Sequence, residues 1–373
     1  MEKRIFLASP HMSAEGYELE YIHDAFNKNW IAPLGENVNE FETAVKAYTG
    51  AANAVALSAG TAALHLAMIL AGVGRGDMVF CQDLTFSASA NPIAYLGAEA
   101  VFIDSERETW NLDPDALNKA FEQYGRPKAV VAVHLYGTPA KLDEISALCA
   151  EYGVPLIEDA AEALGSEYKG KKCGTFGKLA ALSFNGNKII TTSGGGMLLC
   201  TDEADAKHAL KLATQAREPF PWYEHEEIGY NYRMSNISAG IGRGQMRVLD
   251  ERVRRKCEIF AAYENAFAGL PLEMSPTLAD TRPNRWLSVA LLDKDCGVTP
   301  AELLTRLNEE NIEGRHLWKP MNLQPVFADC PFVSVGDEPV CNDLFSRGVC
   351  LPSDTKMTMD DVDRVCAAIR GSF

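Results

Sequence analysis

The chain has 373 residues, 47% of them hydrophobic, and a formal net charge of −16 at pH 7. That length and apolar content supply a core for two domains, or for one large domain with an appendage. The negative balance excludes a binder of phosphate backbones, which needs a basic footprint, and any anionic ligand must be held by a local cationic or amide-lined pocket.

From Asn53 to Thr201 short apolar runs alternate with helical patterns. The runs are Ala54–Leu57, Met78–Cys81, Ala100–Ile103, Ala129–Val133, Val154–Ile157, Leu179–Phe184 and Met197–Cys200. Between them lie Thr61–Leu70, Pro114–Tyr124 and Leu142–Tyr152, the last followed by Gly153 as a C-cap. Runs that are apolar throughout, separated by helices, predict an α/β domain whose mostly parallel seven-stranded sheet is buried on both faces. The last two runs are joined by too few residues for a crossover helix, so an antiparallel strand is expected there. Arg247–Tyr263 reads as a long charged amphipathic helix. It is expected to link a large domain, 1–246 with the N-terminal segment, to a smaller α+β domain, 247–373. That domain would hold strand Ser288–Leu292, helix Thr299–Asn308 and a final helix Met359–Ile369.

Polar residues follow Met1–Phe6 too soon for a signal peptide, and no apolar run is long enough to span a membrane. Ten cysteines are scattered without a CxxC pair, mostly in apolar surroundings. They read as small buried hydrophobes of a cytoplasmic protein, and no metal site is expected.

Four clusters of chemically capable residues fall beyond expected strand ends. Ser58-Ala59-Gly60-Thr61 follows the first strand and opens a helix; its amides and the Thr61 hydroxyl can receive a phosphate, or Gly-Thr can be ordinary capping. Asp83-Leu84-Thr85-Phe86 follows the second, and Phe86 can stack on a flat ring or fill the core. Glu158-Asp159-Ala160-Ala161-Glu162 follows the fifth, and Ser183 to Lys188 the sixth. Singly, Asp159 can be a helix cap and Lys188 a surface lysine. Jointly, a phosphate cradle, a ring stacker, an acid and a lysine converge where open α/β sheets bind ligands. A lysine that forms a Schiff base and an aspartate that keeps a pyridinium nitrogen protonated suit a pyridoxal phosphate site. A fifth stretch, Gly229 to Asn236, can be a ligand loop reaching a second subunit or a polar loop with an N-cap at Ser235.

These motifs resemble the DegT/DnrJ/EryC1/StrS sugar aminotransferases, a family of fold-type I pyridoxal phosphate enzymes, from about Ile5 to the C-terminus. The resemblance rests on Ile31–Gly35, Gly60–His65, Thr85-Phe86, His134–Gly137, Glu158–Gly165, Gly174–Gly177, Gly229–Asn236 and Trp318–Pro320. It implies that Lys188 binds the cofactor covalently, that Asp159 pairs with the ring nitrogen and that Phe86 stacks on the ring. It also implies a phosphate held by Gly60, Thr61 and Ser183, with Asn231 contributed by the partner subunit of a homodimer with shared sites. Glu162 stands where glutamine or histidine is more usual, beside the cofactor's phenolic oxygen. During turnover the cofactor would alternate with pyridoxamine phosphate, with L-glutamate as amino donor. Ser9–Ser13, Asn185–Gly196, Thr214–Glu218 and Asn284–Ser288 further resemble the subgroup acting at C4 of UDP-4-keto-6-deoxy-N-acetylglucosamine in bacillosamine formation. For that substrate Arg233, Arg285 and Lys319 are expected at the diphosphate, and His11 and Asn187 near the sugar. Another nucleotide ketosugar, of the GDP-perosamine or dTDP-aminosugar type, is the alternative substrate. The lysine argues against the sugar-dehydrating branch, which carries histidine there, and the intact Lys188, Asp159 and Thr61 set argues against a non-catalytic regulatory protein of the same fold. No GxGxxG follows the first strand, which argues against a nucleotide-sugar oxidoreductase.

Overall fold

The computed structural model describes residues 3–373; Met1 and Glu2, part of the polar start, lie outside the described residues. Seven strands of the main sheet lie in the first two hundred residues. They are β1 (Asn53–Leu57), β2 (Met78–Gln82), β3 (Glu99–Ile103), β4 (Ala129–Val133), β5 (Leu156–Asp159), β6 (Leu179–Ser183) and β7 (Gly196–Cys200). Between or after them run α1 (Gly60–Leu70), α2 (Pro114–Tyr124), α3 (Leu142–Tyr152) and α4 (Glu203–Ala213). Gly153 ends α3 in the left-handed conformation at φ 61°, as its sequence position predicts.

The expected sheet forms with one addition. Its strand order is β1-β7-β6-β5-β4-β2-β3, and the two-residue strand Phe332–Val333, from the C-terminal part, adds a parallel eighth member beside β3. Strands β2 to β6 pair in parallel, and β7 lies antiparallel between β6 and β1. Strands β4 to β7 are buried at every residue, because helices cover both faces. Helix α1 is apolar around most of its circumference and is accordingly packed inside, with Ala62 to Met68 all buried.

Two boundaries differ from expectation. Glu158 and Asp159 are the last residues of β5, paired with β4 and β6, while Val154 and Pro155 precede it. The linking helix spans Leu249–Ala266, after a separate helix Asn236–Met246 that Ser235 caps by accepting from the Ser238 amide. The remaining predicted elements are present as strand Ser288–Leu292 and helices Pro300–Glu309 and Met359–Arg370. Thr299 and Thr358 close capping boxes on those two helices.

The C-terminal part builds its own antiparallel sheet from Leu272–Met274, Ser288–Leu292, Gly348–Leu351 and Arg315–His316, in that spatial order. Its core takes in Ile259 and Tyr263 from the linking helix, Phe267 at the helix's C-cap and Ile5 from the chain start. Residues 5–9 therefore pack on the C-terminal sheet: Ile5 bridges Ile312, and the Ser9 amide donates to Asp354. The N-terminal and C-terminal parts thus exchange segments in both directions. No helix among the described residues is long and apolar enough to cross a membrane.

Candidate active site

Beyond the carboxyl ends of the parallel strands opens a cavity of about 430 Å³, within the range of small-molecule sites. One end of it is the start of α1. No side chain caps that helix, so the amides of Gly60, Thr61 and Ala62 have no acceptor within it. The plain-capping alternative is thereby excluded, and free amides with the helix dipole favour an anion there. Ser58, Thr61 and Ser183 also line this end. The close approach needs glycine: a Cβ on Gly196 would lie 2.3 Å from the Ala59 carbonyl carbon, and one on Gly60 would lie 3.0 Å from Ser183 Cβ.

Asp159 is buried, and both its carboxylate oxygens are held. Ser89 Oγ donates to Oδ2 at 2.6 Å, and the Ala161 amide donates to Oδ1 at 3.1 Å. Ser89 is itself 2.7 Å from Thr85 Oγ1. Neighbouring Glu158 supports this strand end from beneath. It accepts from the amides of Gly174, Phe176 and Gly177 and lies 2.9 Å from His134 Nε2. Burial pushes its carboxyl up, but His134 and those amides outweigh burial and hold it below its ordinary value.

Lys188 is not a surface lysine, since its side chain is only 13% exposed. Its Nζ lies 3.3 Å from Glu162 Oε1 and 4.0 Å from the centroid of the Trp286 ring. Glu162 Oε2 accepts from the Tyr136 amide at 2.6 Å. Burial and the nearby Asp159 push the Glu162 carboxyl up, and Lys188 and the Tyr136 amide pull the other way without cancelling that rise. The Trp286 indole N–H donates to the Asn187 carbonyl at 2.7 Å, tying the lysine turn to the C-terminal part. The Trp286 carbonyl is in turn held by Lys256 Nζ at 2.8 Å, a buried amine that burial brings down to about 7. Phe86 is 57% exposed at the cavity, which excludes the core reading, and its ring lies 6.0 Å from that of Trp318.

Gly60, Thr61, Phe86, Asp159, Glu162, Ser183, Asn187 and Lys188 thus meet at one cavity. His11 does not line it. It stands in a much smaller cavity that shares Asn187 and Lys188, 2.6 Å from Thr355 Oγ1 and 3.4 Å from Asp354. Two expected diphosphate donors are elsewhere. Arg285 has φ 53° and turns its guanidinium to Ser275, Thr277 and the face of Phe260, on a cavity behind the sheet. Lys319 is exposed and lines no part of the main cavity. In both motifs the neighbouring tryptophan is the residue that enters, Trp286 beside Arg285 and Trp318 beside Lys319. Arg315, Ser89 and Tyr136 were also missed; Arg315 shares a two-residue strand with His316, a span too short to register as a periodic run. Asn231 is exposed, and Arg233 lies 3.7 Å from Glu42; neither lines the cavity.

The donor set fits pyridoxal phosphate: uncapped amides and hydroxyls for a phosphate, an aromatic face for a ring, an ordered carboxylate and a secluded lysine. The comparisons agree. The model of the DegT/DnrJ/EryC1/StrS aminotransferase family matches residues 13–370. The chain is 54% identical over 379 residues to EpsN of Bacillus subtilis (strain 168), provisionally named a pyridoxal phosphate-dependent aminotransferase, covering 100% of this chain and 97% of that one. It is 36% identical over 368 residues to a GDP-perosamine synthase of Caulobacter vibrioides, covering 98% and 97%. The solved structure of the aminotransferase TlmJ from Streptoalloteichus hindustanus superposes with a TM-score of 0.90 at 29% identity, covering 99% and 98%. With a matching family model over nearly the whole length and a lysine set between Glu162 and Trp286 in a phosphate-ready cavity, the chain belongs to the DegT/DnrJ/EryC1/StrS aminotransferase family and is a pyridoxal phosphate-dependent sugar aminotransferase.

Proposed function

We propose that the enzyme moves an amino group from L-glutamate to C4 of UDP-4-keto-6-deoxy-N-acetylglucosamine, giving the 4-amino sugar nucleotide used in bacillosamine and glycan formation. The observation that carries this reading is the convergence of Lys188, Asp159 and the uncapped start of α1 on one cavity, together with the subgroup motifs around Asn187 and Trp286. When bound, pyridoxal phosphate supplies the electron sink and carries the amino group between the two substrates. Lys188 would hold the cofactor covalently, and its amine, when free, would serve as the acid-base group that carries a proton at this end of the cavity. Glu162, 3.3 Å from Nζ, orients that amine. Asp159 would keep a positive charge on the ring nitrogen, Phe86 would order the ring, and Gly60, Thr61 and Ser183 would anchor the phosphate. Asn187 faces the sugar, with His11 behind it.

The active unit in this reading is a homodimer in which Asn231 and Arg233 complete the other subunit's site. The single chain exposes Phe26, Trp30, Ile31, Leu34, Trp222 and Ile228, apolar side chains that a second copy would cover in this reading. Mixing Lys188→Ala subunits with Asn231→Ala subunits should restore some activity, because one site of each heterodimer has both residues. No recovery after verified subunit exchange would remove the shared site.

The substrate assignment is tested with a panel of nucleotide-4-ketosugars, glutamate and product identification by NMR. The UDP-linked substrate is expected to give the highest kcat/KM. The relative named GDP-perosamine synthase makes a GDP-linked ketosugar the competing choice. A GDP- or dTDP-linked sugar outperforming the UDP one would refute the substrate and leave the aminotransferase chemistry standing.

A further inference from the structure

Two aromatic walls of the cavity, exposed Phe86 and half-buried Trp318, come from distant parts of the chain, and Asp83 ties them together. Asp83 lies directly after β2, three residues before Phe86, and is fully buried. Its amide donates to the Ile103 carbonyl at 2.9 Å, and its own carbonyl accepts from the Met321 amide at 3.0 Å. Its Oδ1 accepts from the Asn322 amide at 2.7 Å. These bonds pin the turn that follows Trp318-Lys319-Pro320 to the end of β2.

The second carboxyl oxygen, Oδ2, is buried and receives no amide or hydroxyl; it faces the Cys341 thiol, a weak donor. Asp104, at the corresponding place after β3, makes a contrast. Its Oδ1 accepts from the amides of Ser105 and Cys341 and its Oδ2 from that of Val340, all at 2.8–2.9 Å. Three amides hold the Asp104 carboxyl, whereas one amide and a weakly donating thiol do not suit a charge at buried Asp83. The ionisable groups that face Asp83 are the Asp104 carboxylate and the Cys341 thiol, and neither is a cation.

We propose that Asp83 is a positioning residue whose neutral carboxyl holds the Met321–Asn322 turn and thereby sets the gap between Phe86 and Trp318 through which the sugar nucleotide enters. The inference rests on reading that cavity as the sugar site. Burial, with Asp104 adding to it, pushes the carboxyl up to about 7, against the pull of Cys341 and the Asn322 amide. The folded value lies above the unfolded value of about 3.9, so the neutral form is complete on the acid side and is lost as pH rises through about 7. Ionisation then leaves a charge buried with no cation facing it, and movement of the turn that carries the Trp318 wall relieves that cost by admitting water to the carboxylate.

The test pairs a titration that needs no substrate with kinetics. In protein labelled with 13C at aspartate carboxyls, one carboxyl should titrate near neutrality and disappear in Asp83→Asn, whose amide mimics the neutral acid. In the wild-type holoenzyme the KM for the nucleotide ketosugar should rise about fivefold between about pH 6.5 and 8.5 with kcat changing less, and in Asp83→Asn that rise should be absent. Absence of a carboxyl titrating between about pH 6 and 8, or an unchanged KM slope in Asp83→Asn, overturns the proposal. Should Asp83→Asn fail to fold, Cys341→Ser carries the test. Its hydroxyl donates to a charged Asp83 and should lower the titration midpoint, and an unmoved midpoint counts against the proposal equally. A protein that shows the titration and accepts no ketosugar refutes the substrate reading alone.

Discussion

Lys188→Ala should abolish turnover while leaving the fold intact. Purified wild-type enzyme with pyridoxal phosphate should be yellow, and borohydride should fix the cofactor onto Lys188, as peptide mass analysis can establish. In the alanine variant that covalent attachment is lost, and kcat should fall on the order of 10³-fold or more, because one residue supplies both the covalent link and the proton carrier. Folding is expected to survive. Lys188 contributes one partly buried ion pair with Glu162 and a contact with Trp286, and Trp286 keeps its bonds to Asn187 and Lys256. The uncompensated partner is Glu162, whose carboxyl is already pushed up by burial and can take a proton once the ammonium is gone. Glu162 is therefore better placed than most buried acids to tolerate loss of its cation. Survival of both the visible band and turnover in Lys188→Ala would refute the central assignment.

The parts of the site that could be read from sequence are those carried by strand ends. Uninterrupted apolar runs located β1 to β7, and each chemical cluster follows or closes one of them within a few residues. The parallel sheet then brings those ends together whatever the side chains between them, which is why Thr61, Phe86, Asp159 and Lys188 could be grouped before any contact was known. The residues misjudged are those whose direction depends on one backbone angle. Arg285 at φ 53° turns away from the cavity while Trp286, one position on, turns into it. No periodicity encodes that choice. Ser89 was missed for a related reason: it lies in a short 3₁₀ turn, and only the fold of that turn aims its hydroxyl at Asp159. The eighth strand and the docking of residues 5–9 on the far sheet involve a few residues each, too few for an apolar pattern to announce.

Asp159→Asn should fold normally and lose about 10²- to 10³-fold in kcat, the usual loss when one preorganised charge is removed from a catalytic centre. The geometry explains why the loss should be chemical and not structural. Asp159 closes β5, and its main-chain carbonyl accepts from the His134 amide at 3.1 Å whatever its side chain is. Asparagine retains one side-chain oxygen, which can still accept from the Ala161 amide or from Ser89, so only one of the two side-chain bonds is lost. A hydroxyl can also reverse its role: Ser89 can accept from the new amide and donate to Thr85, 2.7 Å away. The missing element is the negative charge, and a neutral amide cannot keep a pyridinium nitrogen protonated. The defect should fall on kcat for both half-reactions, with smaller changes in the KM for glutamate and for the ketosugar, because neither substrate is held by this carboxylate in the proposed site. Thermal denaturation of the cofactor-free variant separates the alternatives. A melting temperature close to wild type with a large kcat loss is expected. Near-normal activity in the folded variant would sink the role of Asp159 as the charge behind the electron sink, while leaving Lys188 as the point of attachment.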